Sequence, residues 1–198
     1  MGVEGQQGRK PRADVQRNRA ALLEAAQRHF LRDGVGASLE AVAKEAGVGP
    51  ATLYRHFATR EALLAAVLQT RSEELVARRA DIAQLSDAAD MLRQWLRAME
   101  EYFSAFSGLP EPLMAAARER EPGNPLTLPC DDLITTTDAY VRAAQRAGHA
   151  RPSVKGYDLF LAAVSVAWIK GTGATDEEAL DRLRALIESG YRGQDDEK

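Results

Sequence analysis

The sequence predicts an all-α protein of about nine helices. Ala, Leu, Arg and Glu, all good helix formers, dominate its 198 residues. Apolar residues recur at i, i+3, i+4 and i+7 in one segment after another. No stretch carries the β-branched alternation of a strand. With 45% hydrophobic and 28% charged residues, the chain has the balance of a globular protein and the length to bury a core.

The elements follow in order. Residues 1–13, with Gly2, Gly5, Gly8 and Pro11, read as a disordered arm. Arg9, Lys10 and Arg12 make it basic, so it is either a solvated tail or a strand laid on phosphates or a minor groove. A first helix is expected from Asp14 to Arg32, with Leu22, Leu23, Ala26 and Phe30 on one face and Asp33-Gly34 ending it. Ser38 is the N-cap of a second, whose Leu39, Val42, Ala43 and Ala46 share a face. Gly47-Val48-Gly49 interrupts the pattern, and Pro50 opens a short third helix to about Phe57. Thr59 caps a fourth, with Glu61 in its first turn and Leu63, Leu64, Val67 and Leu68 inside, running to Arg79.

Beyond it, Ser86 is expected to cap a long helix to Phe106, broken by Gly108-Leu109-Pro110. A short helix covers Glu111–Arg120, and residues 121–129, with three prolines, read as a loop. The next helix starts at Asp131-Asp132 and ends at Gly148, and another spans Ser153–Lys170. Thr175 and Glu178 form a capping box that opens the last helix, and residues 194–198 are an acidic tail. The expected domains are residues 14–79 and 80–193.

Charge separates the same two parts. The chain has 26 Lys/Arg and 29 Asp/Glu, a net charge of −3. Residues 1–60 hold ten Lys/Arg against six Asp/Glu, which leaves sixteen against twenty-three in the remainder. A basic N-terminal third beside an acidic remainder suits a nucleic-acid-binding module joined to a part that avoids nucleic acid. An architectural, sequence-blind DNA-binding protein is the alternative, and it would need a basic surface throughout.

Enzyme chemistry finds no foothold. There is no nucleotide loop, nucleophile elbow or carboxylate constellation, and His29, His56 and His149 lack metal-ligand spacing. No catalytic residue, metal or cofactor is expected. The single cysteine, Cys130, precludes an internal disulfide, and Asp131 and Asp132 beside it oppose a reactive thiolate. No apolar run is long enough to span a bilayer and the first residues have no hydrophobic core, so a cytoplasmic location is expected.

The strongest signal lies in residues 38–57. Two short helices flank a tight turn, and the second carries Thr52, Tyr54, Arg55 and His56, with Arg60 just beyond. Leu53 and Phe57, four apart, pin that helix to the first, against Leu39 and Val42. A short helix held this way fits a major groove. Hydroxyls and imidazole N–H groups can then donate to phosphate, and Arg55 can meet a guanine edge or a phosphate.

The run from Leu39 through Ala-Gly-Val-Gly-Pro-Ala-Thr-Leu-Tyr-Arg-His-Phe to Arg60-Glu-Ala-Leu-Leu64 resembles the TetR family of transcriptional regulators, and the likeness covers about residues 15–75. It implies that Thr52, Tyr54, His56 and Arg60 contact the backbone or groove, and that Pro50, Ala51 and Arg55 face base edges. Ser38 completes the expected DNA-binding set. Gly49 stands where the family often has Ser, and Ala51 where it often has Gly.

The same resemblance implies a C-terminal ligand-binding and dimerisation domain, with the last two long helices pairing across a homodimer. The segment Leu161–Ala167 is apolar nearly all round, which fits burial in such an interface or within one chain. The expected partners are a palindromic double-stranded operator, a second copy of the chain and an apolar or aromatic effector. Trp95, Met99, Phe103, Phe106, Met114, Ile134, Tyr140 and Trp168 are the candidate pocket residues. The expected activity is that of a repressor released by its effector.

Overall fold

The structure is a computed structural model that describes residues 10–193 except 120 and 122. Among the described residues there are nine helices and no strand: α1 (Lys10–Asp33), α2 (Leu39–Glu45), α3 (Pro50–His56), α4 (Arg60–Ile82), α5 (Ala88–Phe103), α6 (Pro110–Glu119), α7 (Thr127–Arg146), α8 (Gly156–Thr172) and α9 (Glu177–Tyr191). None is long and apolar enough to cross a membrane. Most of the expected arm (residues 1–9) and the acidic tail (194–198) lie outside the described residues.

Several helix starts differ from expectation, each for a local reason. α1 begins at Lys10, so the end of the expected arm is helical. Asp87, not Ser86, caps α5, because its carboxylate accepts from Ala89 N at 2.7 Å. Those backbone hydrogen bonds, Ala89 first, hold the Asp87 carboxyl below its ordinary range. α5 ends at Phe103, and residues 104–109 turn the chain. α7 starts at Thr127 and takes Pro129 into its first turn, where no backbone N–H is required. Asp176, not Thr175, caps α9, accepting from Ala179 N at 2.8 Å.

α1–α4 close around Leu22, Phe30, Val42, Leu53, Leu63 and Leu64, all buried. In the second unit α8 lies against α5 and α7, with Phe103 meeting Phe160 edge-on at 5.6 Å. Trp95 Nε1 donates to Thr137 Oγ1 at 2.9 Å, so its one polar group is satisfied inside. Leu159, Phe160, Ala163, Val164, Val166 and Ala167 are buried within one chain, which accounts for much of the all-round apolar character of α8.

Among the described residues two ties join the units. One is the continuous helix α4. The other is a joint between the α1–α2 loop and the α5–α6 turn. There Val35 N donates to Ser107 O at 2.9 Å, and Phe30 meets Phe106 edge-on at 6.0 Å. Gly34 has φ +76°, and a Cβ on it would lie 2.7 Å from Ser107 O, so the approach requires glycine.

Candidate nucleic-acid interface

The α2–turn–α3 segment is built by its caps and two apolar anchors. Ser38 Oγ accepts from Ala41 N at 3.3 Å and starts α2. Gly47 takes φ +71° in the turn, and Val48 N returns to Ala43 O at 3.0 Å. Gly49 is the N-cap of α3 without a side chain to accept, and Pro50 presets the first turn. Leu53 and Phe57 are buried, as their spacing requires, and this fixes which face of α3 is free.

That free face carries most of the expected contacts. Pro50, Ala51, Tyr54 and Arg55 are exposed, Tyr54 by 52% despite its ring. Thr52 and His56 are half-buried at its flanks. Arg55 Nε donates back to Ala51 O at 3.3 Å, which uses one of the five guanidinium donors. Ser38 is exposed as well as capping, so its hydroxyl hydrogen is free to donate.

Arg60 is placed differently from the rest. Its Nη1 donates to Val35 O at 2.7 Å and Ala37 O at 2.8 Å, clasping the α1–α2 loop to the start of α4. Thr59, not Arg60, provides the cap there, with Oγ1 accepting from Ala62 N at 3.1 Å. The sequence showed a cation in the first turn, but its target is a loop more than twenty residues away.

Comparison with known proteins agrees with this geometry. Residues 22–67 match the family model of bacterial regulatory proteins, tetR family, and residues 87–193 match the SbtR-like transcriptional regulator C-terminal domain. The chain belongs to the TetR family. It is a helix-turn-helix, DNA-binding transcriptional regulator and not an enzyme. A curated relative, the HTH-type transcriptional regulatory protein RaaS of Mycobacterium tuberculosis, is 32% identical over 68% of this chain and 60% of its own length. The chain thus spans under two thirds of that relative. A TetR regulator from Streptomyces coelicolor is 32% identical, covers 89% of this chain and 99% of its own, and superposes with a TM-score of 0.55. The ketosteroid regulator KstR2 of M. tuberculosis shares the fold, with a TM-score of 0.60 over 98% of this chain and 100% of its own at 19% identity.

In this TetR-family chain the expected pocket residues do not gather at one place. A cleft of about 510 Å³ opens between α4, α5 and α7. Trp95 lines it, beside Leu75, Val76 and Arg79 of α4 and Tyr102 of α5. Tyr140 backs it, its ring 5.6 Å from that of Trp95 and its hydroxyl donating to Arg79 O at 3.5 Å. Met99 and Phe103 are closed core, Phe106 is buried at the edge of a small hollow that it shares with Trp168, and Ile134 is half-buried against the core. Trp168 lies elsewhere, half-exposed on α8, where it donates to Glu111 Oε1 at 2.7 Å. Met114 shares that second, apolar hollow with Trp168.

The α4 and Tyr102 contributions were missed. Leu75 and Val76 fall after a polar stretch of α4, where the apolar pattern had lapsed. Cys130 is fully buried, and burial first, then the charge of Asp131, pushes its thiol up to about 12. Among the described residues no group of His, Cys, Asp or Glu is placed to hold a metal.

Proposed function

We propose that this TetR-family regulator is a cytoplasmic homodimeric repressor that leaves a palindromic operator when an apolar or aromatic effector enters the cleft between α4, α5 and α7. The single observation carrying this reading is α4. Its first turn joins the clasp that seats α1 and α2, and its far half walls the cleft through Leu75, Val76 and Arg79. A ligand that favours one placement of α4 therefore biases α3, the recognition helix of this reading. The DNA-binding domain is residues 14–79 and the effector and dimer domain residues 80–193. Pro50, Ala51, Thr52, Tyr54, Arg55, His56 and Ser38 meet the operator.

The cleft suits a drug-sized apolar ligand, since its volume falls within the range of such sites. Dimerisation through α8 and α9 is supported by exposed apolar groups there, Trp168 by 50% and Leu186 by 68%. Two recognition helices are then available for two half-sites one turn of DNA apart.

The test is selection of bound duplexes from a random library, followed by an effector screen on the enriched sequence. An enriched near-palindrome that compounds displace supports the reading. Salt-dependent binding with no enriched sequence would overturn it in favour of sequence-blind binding.

A further inference from the structure

We infer that Arg19 of α1 is a DNA-phosphate contact, held ready by the ring of Phe57 at the end of the recognition helix. This rests on the DNA interface described above and adds a residue outside its motif.

The guanidinium of Arg19 lies over the Phe57 ring, 5.4 Å from its centroid. Phe57 directly follows α3, and the His56 ring stands 6.4 Å from it, so Arg19 is carried to the C-terminal end of the recognition helix. Arg19 is exposed. Elsewhere on α1, Arg17 is paired with Asp14, Arg28 with Glu45 and Arg32 with Asp33. Among the described residues Arg19 has no carboxylate within ion-pair distance.

The geometry leaves the right atoms free. A ring covers the face of a guanidinium, whereas its N–H donors lie in the plane and point outward. A planar fork of this kind matches two phosphate oxygens. Holding it over a ring lowers the ordering cost when DNA arrives. The clasp formed by Arg60 makes the case sharper, since the cation expected to meet phosphate is engaged with Val35 and Ala37.

A purely structural role for Arg19, as an anchor for Phe57, gives a different signature. The experiment measures affinity of the full chain for a fluorescein-labelled mixed-sequence duplex against salt concentration, for the native protein, Arg19→Ala, Arg19→Gln and Arg19→Lys, with a thermal melt of each. For Arg19→Ala and Arg19→Gln we expect several-fold weaker binding and a log–log salt slope smaller by about 0.9 per protomer. Arg19→Lys, which keeps the charge, should keep the slope. A slope unchanged in Ala and Gln, with a lowered melting temperature, would overturn the contact and leave an anchor. Absence of salt-dependent binding by the native protein would instead overturn the DNA interface itself, and the role of Arg19 with it.

Discussion

Replacing Arg60 by Ala tests whether its guanidinium serves the fold or the DNA. Its Nη1 makes two hydrogen bonds, at 2.7 Å to Val35 O and 2.8 Å to Ala37 O. A bond from a charged donor contributes about 1.5–3 kcal/mol, and two bonds from one nitrogen do not add fully. The expected loss is about 2–3 kcal/mol, because removing the guanidinium breaks both bonds at once and takes the charged donor from two loop carbonyls. At this chain length each kcal/mol lowers the melting temperature by about 2–4 °C, so a fall of roughly 4–12 °C is expected. Circular dichroism melts of the native protein, Arg60→Ala, Arg60→Met and Arg60→Lys read it. Met keeps the apolar stem and should be as destabilised as Ala, while Lys, with a single ammonium, should recover part of the loss. The salt slope of DNA binding should stay unchanged. An unchanged melting temperature with a reduced slope would refute the clasp and restore Arg60 as a phosphate contact.

Other expectations follow from the same structure. Gly34→Ala places a Cβ against Ser107 O at a positive φ, and strain alone should cost about 1–2 kcal/mol, read as a lower denaturant midpoint; an unmoved midpoint would mean that the joint is slack. Tyr54→Ala and Arg55→Ala should weaken operator binding without lowering the melting temperature, since both side chains are exposed; undiminished binding in both would remove α3 as the reader. The Glu177 and Asp181 carboxyls are held below their ordinary values, chiefly by hydrogen bonds from Arg184. Depressed folded values mean stabilisation that is present above the unfolded carboxylate range, near pH 4, and lost as pH falls through the folded values. The melting temperature should therefore drop on acidification to about pH 3, less steeply in the double variant Glu177→Gln, Asp181→Asn; identical profiles would show that this cluster does not hold α9.

The fold was legible because each helix announces itself locally, by apolar period, cap and breaker. The misplaced boundaries are places where two local signals compete. Ser86 stands next to Asp87 and Thr175 next to Asp176, so each pair offers two cap-capable residues, and which one caps depends on how the following helix packs. Pro129 read as a loop residue, yet proline is tolerated wherever a helix has no donor to lose. The recognition helix was legible for the same reason as the fold, since Leu53 and Phe57 fix its buried face and so its free one. The pocket was not. Trp95 and Trp168 both sit at apolar helical positions, and only their neighbours in space decide that one faces the cleft and the other the surface. Arg60 reaches Val35 and Ala37, and Arg19 the ring of Phe57, because the target of a long side chain lies outside its own helix.

The two ties between the units limit how a ligand can act on DNA. Were α4 the only link, displacing its far half could swing the recognition helix in any direction. The joint at Val35 and Ser107, with Phe30 packed on Phe106, fixes a second point on the DNA-binding unit. Arg71 of α4 lies over the same Phe106 ring, 5.5 Å from its centroid, so the helix and the joint share one side chain. With one point held, movement of α4 against α5 turns the α1–α3 unit about the joint instead of carrying it bodily. On the proposed mechanism such a rotation would turn α3, with Tyr54 and Arg55 on it, and in a dimer would alter the spacing of the two recognition helices. In that reading small shifts at the cleft would mismatch the half-sites while the joint stays closed. Weakening the joint by Phe106→Ala should separate the two effects. Effector binding should persist while its power to displace the operator falls, and displacement at native strength would show that α4 acts alone.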